Sequence, residues 1–134
     1  MQRIIIDGNS LTLEDVERVA LQGVEIEISA TALQKVAACR AYVDKVIAEK
    51  RVVYGLTTGF GKFSTVTIDA ENIAELQLNL IRSHAVSVGE PYSDAQVRAI
   101  MLLRINVLAK GHSGIRTETL LTLVEMLNKK EIGR

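Results

Sequence analysis

The chain has no tryptophan, one proline, one cysteine and two histidines among its 134 residues. Each scarcity excludes something. The single cysteine, Cys39, allows no intrachain disulfide, so a reducing compartment, the cytoplasm, is the expectation. His84 and His112, with no cysteine at metal-ligand spacing, do not make a zinc site. Net charge is absent too, since 16 basic side chains balance 16 acidic ones. That balance gives no basis for nucleic acid or an anionic membrane as partner. No apolar run is long enough to span a bilayer. The apolar run in residues 1–7 is too short for a signal peptide, so none is expected. There is no internal repeat and no low-complexity segment.

What is present is a well-patterned apolar half. Hydrophobic residues make up 48% of the chain, enough for a core, and the length suits one domain. Residues 3–6 read as a short strand closed by the turn residues Asp7-Gly8-Asn9-Ser10. Thr12, with Asp15 three positions on, caps a short helix over residues 13–20. Residues 24–28 alternate apolar and acidic side chains, as a second strand able to pair with the first would. Ser29 caps a long helix to about residue 50, with Leu33, Val36, Ala37, Ala41, Val43 and Ile47 as its apolar face. Asp69 starts another helix through about residue 86. Pro91 then falls between helices, where it does no damage. Ser93 and Gln96 form a capping box for a helix over residues 94–110, ended by Gly111. Thr117 is expected to cap a last helix to about residue 129. Lys129 and Lys130 suit its negative end. The fold class is therefore mainly α, with a small two-stranded β element at the front. The last two helices carry apolar residues off any single stripe, which implies burial on several sides.

Three runs could carry chemistry. The first is Tyr54-Gly55-Leu56-Thr57-Thr58-Gly59-Phe60-Gly61-Lys62-Phe63, with three glycines in seven residues. Glycine tolerates positive φ and close backbone approach, so residues 54 to about 64 read as a mobile loop. A tyrosine at its root can be delivered into a site when the loop closes. Its phenol ionises near pH ~10, so it acts as a base only in a special environment. The loop does not fit a phosphate cradle. Lys62 is followed by Phe63, no glycine stands at position 56, and Ser64 occupies the last glycine position of a dinucleotide motif. The second run is Asn79-Leu80-Ile81-Arg82-Ser83-His84-Ala85, where His84 near a helix end also suits the helix dipole. The third runs from Met101 to Arg116 and includes Arg104-Ile105-Asn106-Val107-Leu108-Ala109-Lys110-Gly111-His112-Ser113-Gly114. It reads as a capped helix, a tight turn and another helix. The turn is not a hydrolase elbow, which needs Gly-x-Ser-x-Gly after a strand.

Together these runs resemble the aromatic amino acid ammonia-lyases. The first is similar to their Tyr-Gly-x-x-Thr-Gly-Phe-Gly signature. The third is similar to their Arg-x-Asn-x-Leu-x-x-Gly-Tyr-Ser-Gly segment, with His112 where tyrosine is usual. Leu-Ala-Lys-Gly brings the chain nearest the histidine-specific branch, and Ser-His-Ala is similar to both the histidine- and the tyrosine-specific branches, although Thr57 stands where many bacterial histidine-specific members have asparagine. The resemblance covers most of residues 5–128 and implies the helical N-terminal portion of such an enzyme, as one domain over residues 1–134. It implies Tyr54 as general acid/base on a lid loop with Gly55, Thr58, Gly59, Phe60 and Gly61. It implies His84 as a contact to the substrate side chain, which a purely phenyl substrate would leave unpaired. The parent reaction would convert L-histidine to urocanate and ammonia, with no metal; tyrosine is the nearest alternative substrate. The family's electrophile, a methylidene-imidazolone, forms from an Ala-Ser-Gly tripeptide. The sequence reaches Arg134 without one. The expectation is thus a part of the enzyme truncated before that segment, with no cofactor of its own and inactive by itself. Complete family members are tetramers, so a homo-oligomer is expected. A non-catalytic helical oligomerisation or interaction protein is the reading from a different class.

Overall fold

The computed structural model describes residues 3–58 and 70–131. The described elements are β1 (Ile4–Ile6), α1 (Leu13–Gln22), β2 (Ile26–Ile28), α2 (Ala30–Ala48), α3 (Ala70–His84), α4 (Asp94–Ala109) and α5 (Thr117–Lys129). The chain forms two compact units: one from the described residues up to Val43 and from Pro91 onward, the other from Asp44 to Glu90.

In the first unit, β1 and β2 pair in parallel, with Ile4 opposite Ile26 and Ile6 opposite Ile28. Parallel neighbours need a crossover, and α1 supplies it. Both strands are buried at their outer residues and exposed at the middle one, so four isoleucines face the core while Ile5 and Glu27 face out. The second edge of β2 is closed by a side chain. The Asn128 amide accepts from the Ile26 N–H and donates to the Ile26 carbonyl, both at 2.9 Å. It thereby takes the place of a neighbouring strand and covers an edge that would otherwise be open to pairing.

Local chemistry sets most helix ends. At α1, Thr12 and Asp15 form a reciprocal capping box, and Gly23 closes the other end at φ 71°. Ser29 Oγ accepts from the Ala32 N–H at 3.1 Å at the start of α2. Ser93 and Gln96 box the start of α4. Three expectations need correction. First, α1 runs on to Gln22, since Gly23 and not Ala20 supplies the left-handed stop. Second, the N-cap of α5 is Arg116, without a side-chain bond, and Thr117 is already helical. Third, the buried residues of α2 include Ala32, Val36 and Val46, whereas Ala37 and Ala41 are exposed. The expected start of α3 at Asp69 lies outside the described residues.

The core of this unit joins the strand isoleucines to Val19 of α1, Val36 of α2, Leu102, Ile105 and Leu108 of α4, and Leu120, Val124 and Leu127 of α5. Burying one such side chain stabilises by about 1.5–3 kcal/mol before entropy is counted. One charged group joins them. Arg98 is 6% exposed. Its Nε donates to the Val19 carbonyl at 3.0 Å and its Nη1 to the Leu127 carbonyl at 3.3 Å. These carbonyls lie in the last turns of α1 and α5, so one guanidinium serves two helix C-termini. The turn 111–114 lies against α2. A Cβ on Gly111, at φ 76°, would sit 2.9 Å from the backbone carbon of Lys35, and Arg40 Nη1 donates to the Gly114 carbonyl at 3.3 Å. This confirms the structural reading of the third run.

Candidate functional site

The described sequence-predicted site residues, Tyr54, Gly55, Thr58 and His84, belong to the second unit. After α2 the chain turns at Lys50, φ 51°, and reaches a compact turn at residues 54–57. The Val53 carbonyl accepts from the N–H of Leu56 at 3.1 Å and of Thr57 at 3.0 Å. Gly55 sits at φ 71°, a conformation that disfavours side-chain-bearing residues. Two hydroxyls complete the turn. Thr57 Oγ1 donates to the Arg51 carbonyl at 2.7 Å and accepts from the Val53 N–H at 2.9 Å. Thr58 Oγ1 accepts from the Gly55 N–H at 3.3 Å. Thr57 and Thr58 are buried, at 7% and 1% exposure, whereas Tyr54 is 64% exposed. The result is a phenol presented outward from a turn whose peptide groups are fixed on both sides. Gly59, Phe60 and Gly61 lie outside the described residues.

His84 is the last residue of α3. Its Nδ1 lies 2.9 Å from the Leu80 carbonyl and 3.0 Å from Ser83 Oγ, which itself donates to Leu80 at 2.9 Å. A carbonyl only accepts, so the Leu80 contact is a hydrogen bond in the tautomer that carries its proton on Nδ1. In the neutral ring Nε2 is then an acceptor. The ring is exposed and is oriented by its own last helical turn. His84 thus offers an acceptor, and Tyr54 a hydroxyl able to give or take a proton.

The sequence reading named Thr58 only as a lid-loop residue and gave Thr57 no role, and it did not foresee that both are buried. Two adjacent threonines among glycines look solvent-facing, and nothing local marks them as buried. Among the described residues no group of three or more His, Cys, Asp or Glu could hold a metal ion. Among them, too, no helix is long and apolar enough to cross a membrane. The sequence contains one Ser-Gly pair, Ser113-Gly114. It follows His112, not alanine, and its glycine is held by Arg40 against α2, so it does not fit the source of a methylidene-imidazolone.

Comparison with known proteins bears on what such a site is for. The family model described as aromatic amino acid lyase matches residues 11–132. The histidine ammonia-lyase of Caldanaerobacter subterraneus subsp. tengcongensis is 52% identical over 132 residues, which is 98% of this chain and 26% of that protein. The crystal structure of histidine ammonia-lyase from Trypanosoma cruzi aligns with TM-score 0.87 and 43% identity, over 95% of this chain and 24% of that one. Tyrosine aminomutase from Streptomyces globisporus aligns with TM-score 0.90 and 34% identity, over 99% and 26%. The chain spans about a quarter of the length of the curated relatives it matches. It retains the Tyr-Gly and Ser-His-Ala runs that first suggested the relationship, and with a match over nearly its whole length the chain belongs to the aromatic amino acid lyase family.

Proposed function

We propose that these 134 residues are the N-terminal part of a histidine ammonia-lyase, which eliminates ammonia from L-histidine to give urocanate. The observation that carries this is the 52% identity to a histidine ammonia-lyase over 98% of the chain. In this reading Tyr54 is the general acid/base. Its exposed phenol, on a turn fixed at both flanks, exchanges a proton with the substrate when the site is assembled. His84 contacts the substrate ring. With Nδ1–H directed to Leu80, its Nε2 accepts from an imidazole N–H, or equally from a phenol O–H. Phenyl offers no such donor, which disfavours phenylalanine. The likeness to tyrosine aminomutase keeps tyrosine as the alternative substrate.

The family's electrophile is self-made from Ala-Ser-Gly, and these residues contain no such tripeptide. What this chain contributes is the proton-transfer side chain and the ring contact. The 134-residue chain alone should therefore show no turnover, because Tyr54 has no activated substrate to act on. The test is to join this chain to the remaining three quarters of the Caldanaerobacter relative and follow urocanate absorbance. Turnover in the hybrid, lost by about 10²–10⁴-fold in Tyr54→Phe, supports the assignment. His84→Leu should weaken use of histidine and improve use of phenylalanine. Normal turnover in Tyr54→Phe, or an unchanged substrate ranking in His84→Leu, would count against the respective role. Urocanate formed by the purified 134-residue chain would refute the partial-enzyme reading.

A further inference from the structure

We propose that Thr57 is a positioning residue for Tyr54, an inference that rests on Tyr54 being the proton-transfer group. The argument starts from burial. Within residues 51–58 only Thr57 and Thr58 are buried, and they are among the few buried polar residues described. A buried hydroxyl is stable only if its hydrogen bonds are made. Thr57 makes two, and both close around Tyr54. It accepts from the peptide N–H of Val53, immediately before the tyrosine, and donates to the carbonyl of Arg51, three residues before it. The same residue's own N–H returns to the Val53 carbonyl. Thr58 adds the Gly55 N–H, immediately after the tyrosine. On each side of Tyr54 the neighbouring residue's N–H thus donates to a threonine hydroxyl, Val53 to Thr57 and Gly55 to Thr58.

This matters because of what the turn presents. Tyr54 is largely exposed, and Gly55 has no side chain with which to anchor the backbone. Without the Thr57 hydroxyl, the Val53 N–H and the Arg51 carbonyl lose a bond that narrows the sampling of the backbone carrying the phenol. Misplacing a reacting group by about 1 Å costs up to roughly 100-fold in rate. Thr57 Oγ1 reduces that sampling before substrate arrives. Valine has nearly the same shape but neither donates nor accepts, so Thr57→Val isolates the hydroxyl. Serine keeps the hydroxyl and loses only a methyl group.

The first arm uses the 134-residue chain and measures amide hydrogen exchange. The Val53 amide should be protected in the wild type. In Thr57→Val its exchange should speed up about tenfold, the effect of losing one hydrogen bond, and backbone order at Tyr54 should fall. Exchange at Ile105 in α4 should be unchanged, and Thr57→Ser should restore protection at Val53. An unprotected Val53 amide in the wild type, or equal exchange in the Ser and Val variants, overturns the proposal. The second arm uses the hybrid enzyme. Thr57→Val should lower kcat about tenfold or more with KM within about twofold, and should add nothing to Tyr54→Phe. A loss in KM alone, or full additivity with Tyr54→Phe, overturns the proposal. If Tyr54→Phe keeps normal turnover, the acid/base reading has failed, and the exchange result still shows separately whether Thr57 fixes the turn.

Discussion

At the scale of single residues, a few polar groups support the apolar core from unusual places. Arg98 is the clearest. Its guanidinium is buried where an aliphatic side chain would be expected, and it serves the carbonyl ends of α1 and α5 together. Arg98→Met keeps much of the apolar stem but leaves the Val19 carbonyl without its donor. Hydrogen bonds from a charged donor contribute about 1.5–3 kcal/mol, so the variant should lose about 2–4 kcal/mol in urea unfolding. Arg98→Lys should recover only part of that, since one ammonium does not match the two-pronged geometry. Asp7 supplies a pH-dependent counterpart. Its carboxylate accepts from the N–H groups of Asn9 and Ser10 and from Ser10 Oγ, at 2.7 to 2.9 Å. These bonds, the Asn9 N–H foremost, hold its pKa below the usual carboxylate value. A lowered folded-state pKa means that the folded chain binds the proton less readily than the unfolded one. The contribution is therefore present above the unfolded value, near 3.8, and is lost as pH falls through the lowered one. Asp7→Asn should remove this acid-side loss, so melting temperatures of the two chains should converge below pH ~4. A constant difference down to the acid limit would show that Asp7 does not titrate as described.

At the scale of elements, the parts legible in the sequence were those whose partners are close in the chain. Thr12 with Asp15 and Ser93 with Gln96 each span three residues, so the capping chemistry is written in one short window. β2 was legible from alternation, because it has one buried and one exposed face, and β1 from a short run closed by turn residues. The Tyr54 run and the Ser-His-Ala run were legible as motifs. What was not legible depends on contacts that no local window contains. Arg98 meets Val19 across 79 residues, and Asn128 meets Ile26 across 102. The parallel sense of β1 and β2 likewise lies in the crossover through α1, not in either strand. The burial of Thr57 fits the same pattern: periodicity says nothing about a turn. The turn between α4 and α5 gives an element-scale prediction. Gly111→Ala must accept both a left-handed φ and a Cβ 2.9 Å from the Lys35 backbone carbon. Gly23→Ala has the left-handed φ, but its nearest neighbour is the flexible Lys130 side chain at 3.4 Å. The left-handed conformation alone costs about 1–2 kcal/mol. Gly23→Ala should lose about that much, and Gly111→Ala clearly more, because α2 and the turn must part. Equal losses in thermal unfolding would mean that the turn does not press on α2.

At the scale of the whole molecule, the question is what a chain of this length does with its uncovered apolar surface. The apolar residues of α4 divide into two stripes. Leu102, Ile105 and Ala109 face the core with Arg98, whereas Ile100, Leu103 and Val107 are 53%, 49% and 52% exposed at spacings of three and four residues. Leu121 on α5 is also exposed, at 43%. Such a stripe has the period of a helix-packing face, and a contiguous exposed one normally marks a contact surface. With no net charge the chain lacks the repulsion that keeps like molecules apart. The purified 134-residue chain should therefore self-associate at roughly micromolar concentration, where a specific interface of ordinary size already holds. The double variant Leu103→Glu, Val107→Lys should separate the copies while keeping the fold, because both side chains are about half exposed and lie outside the buried core. Light scattering gives the mass, and circular dichroism shows whether the helices remain. A clean monomer mass for the unmodified chain would remove the case for association. Assembly that persists in the double variant would place the contact elsewhere than on this face of α4.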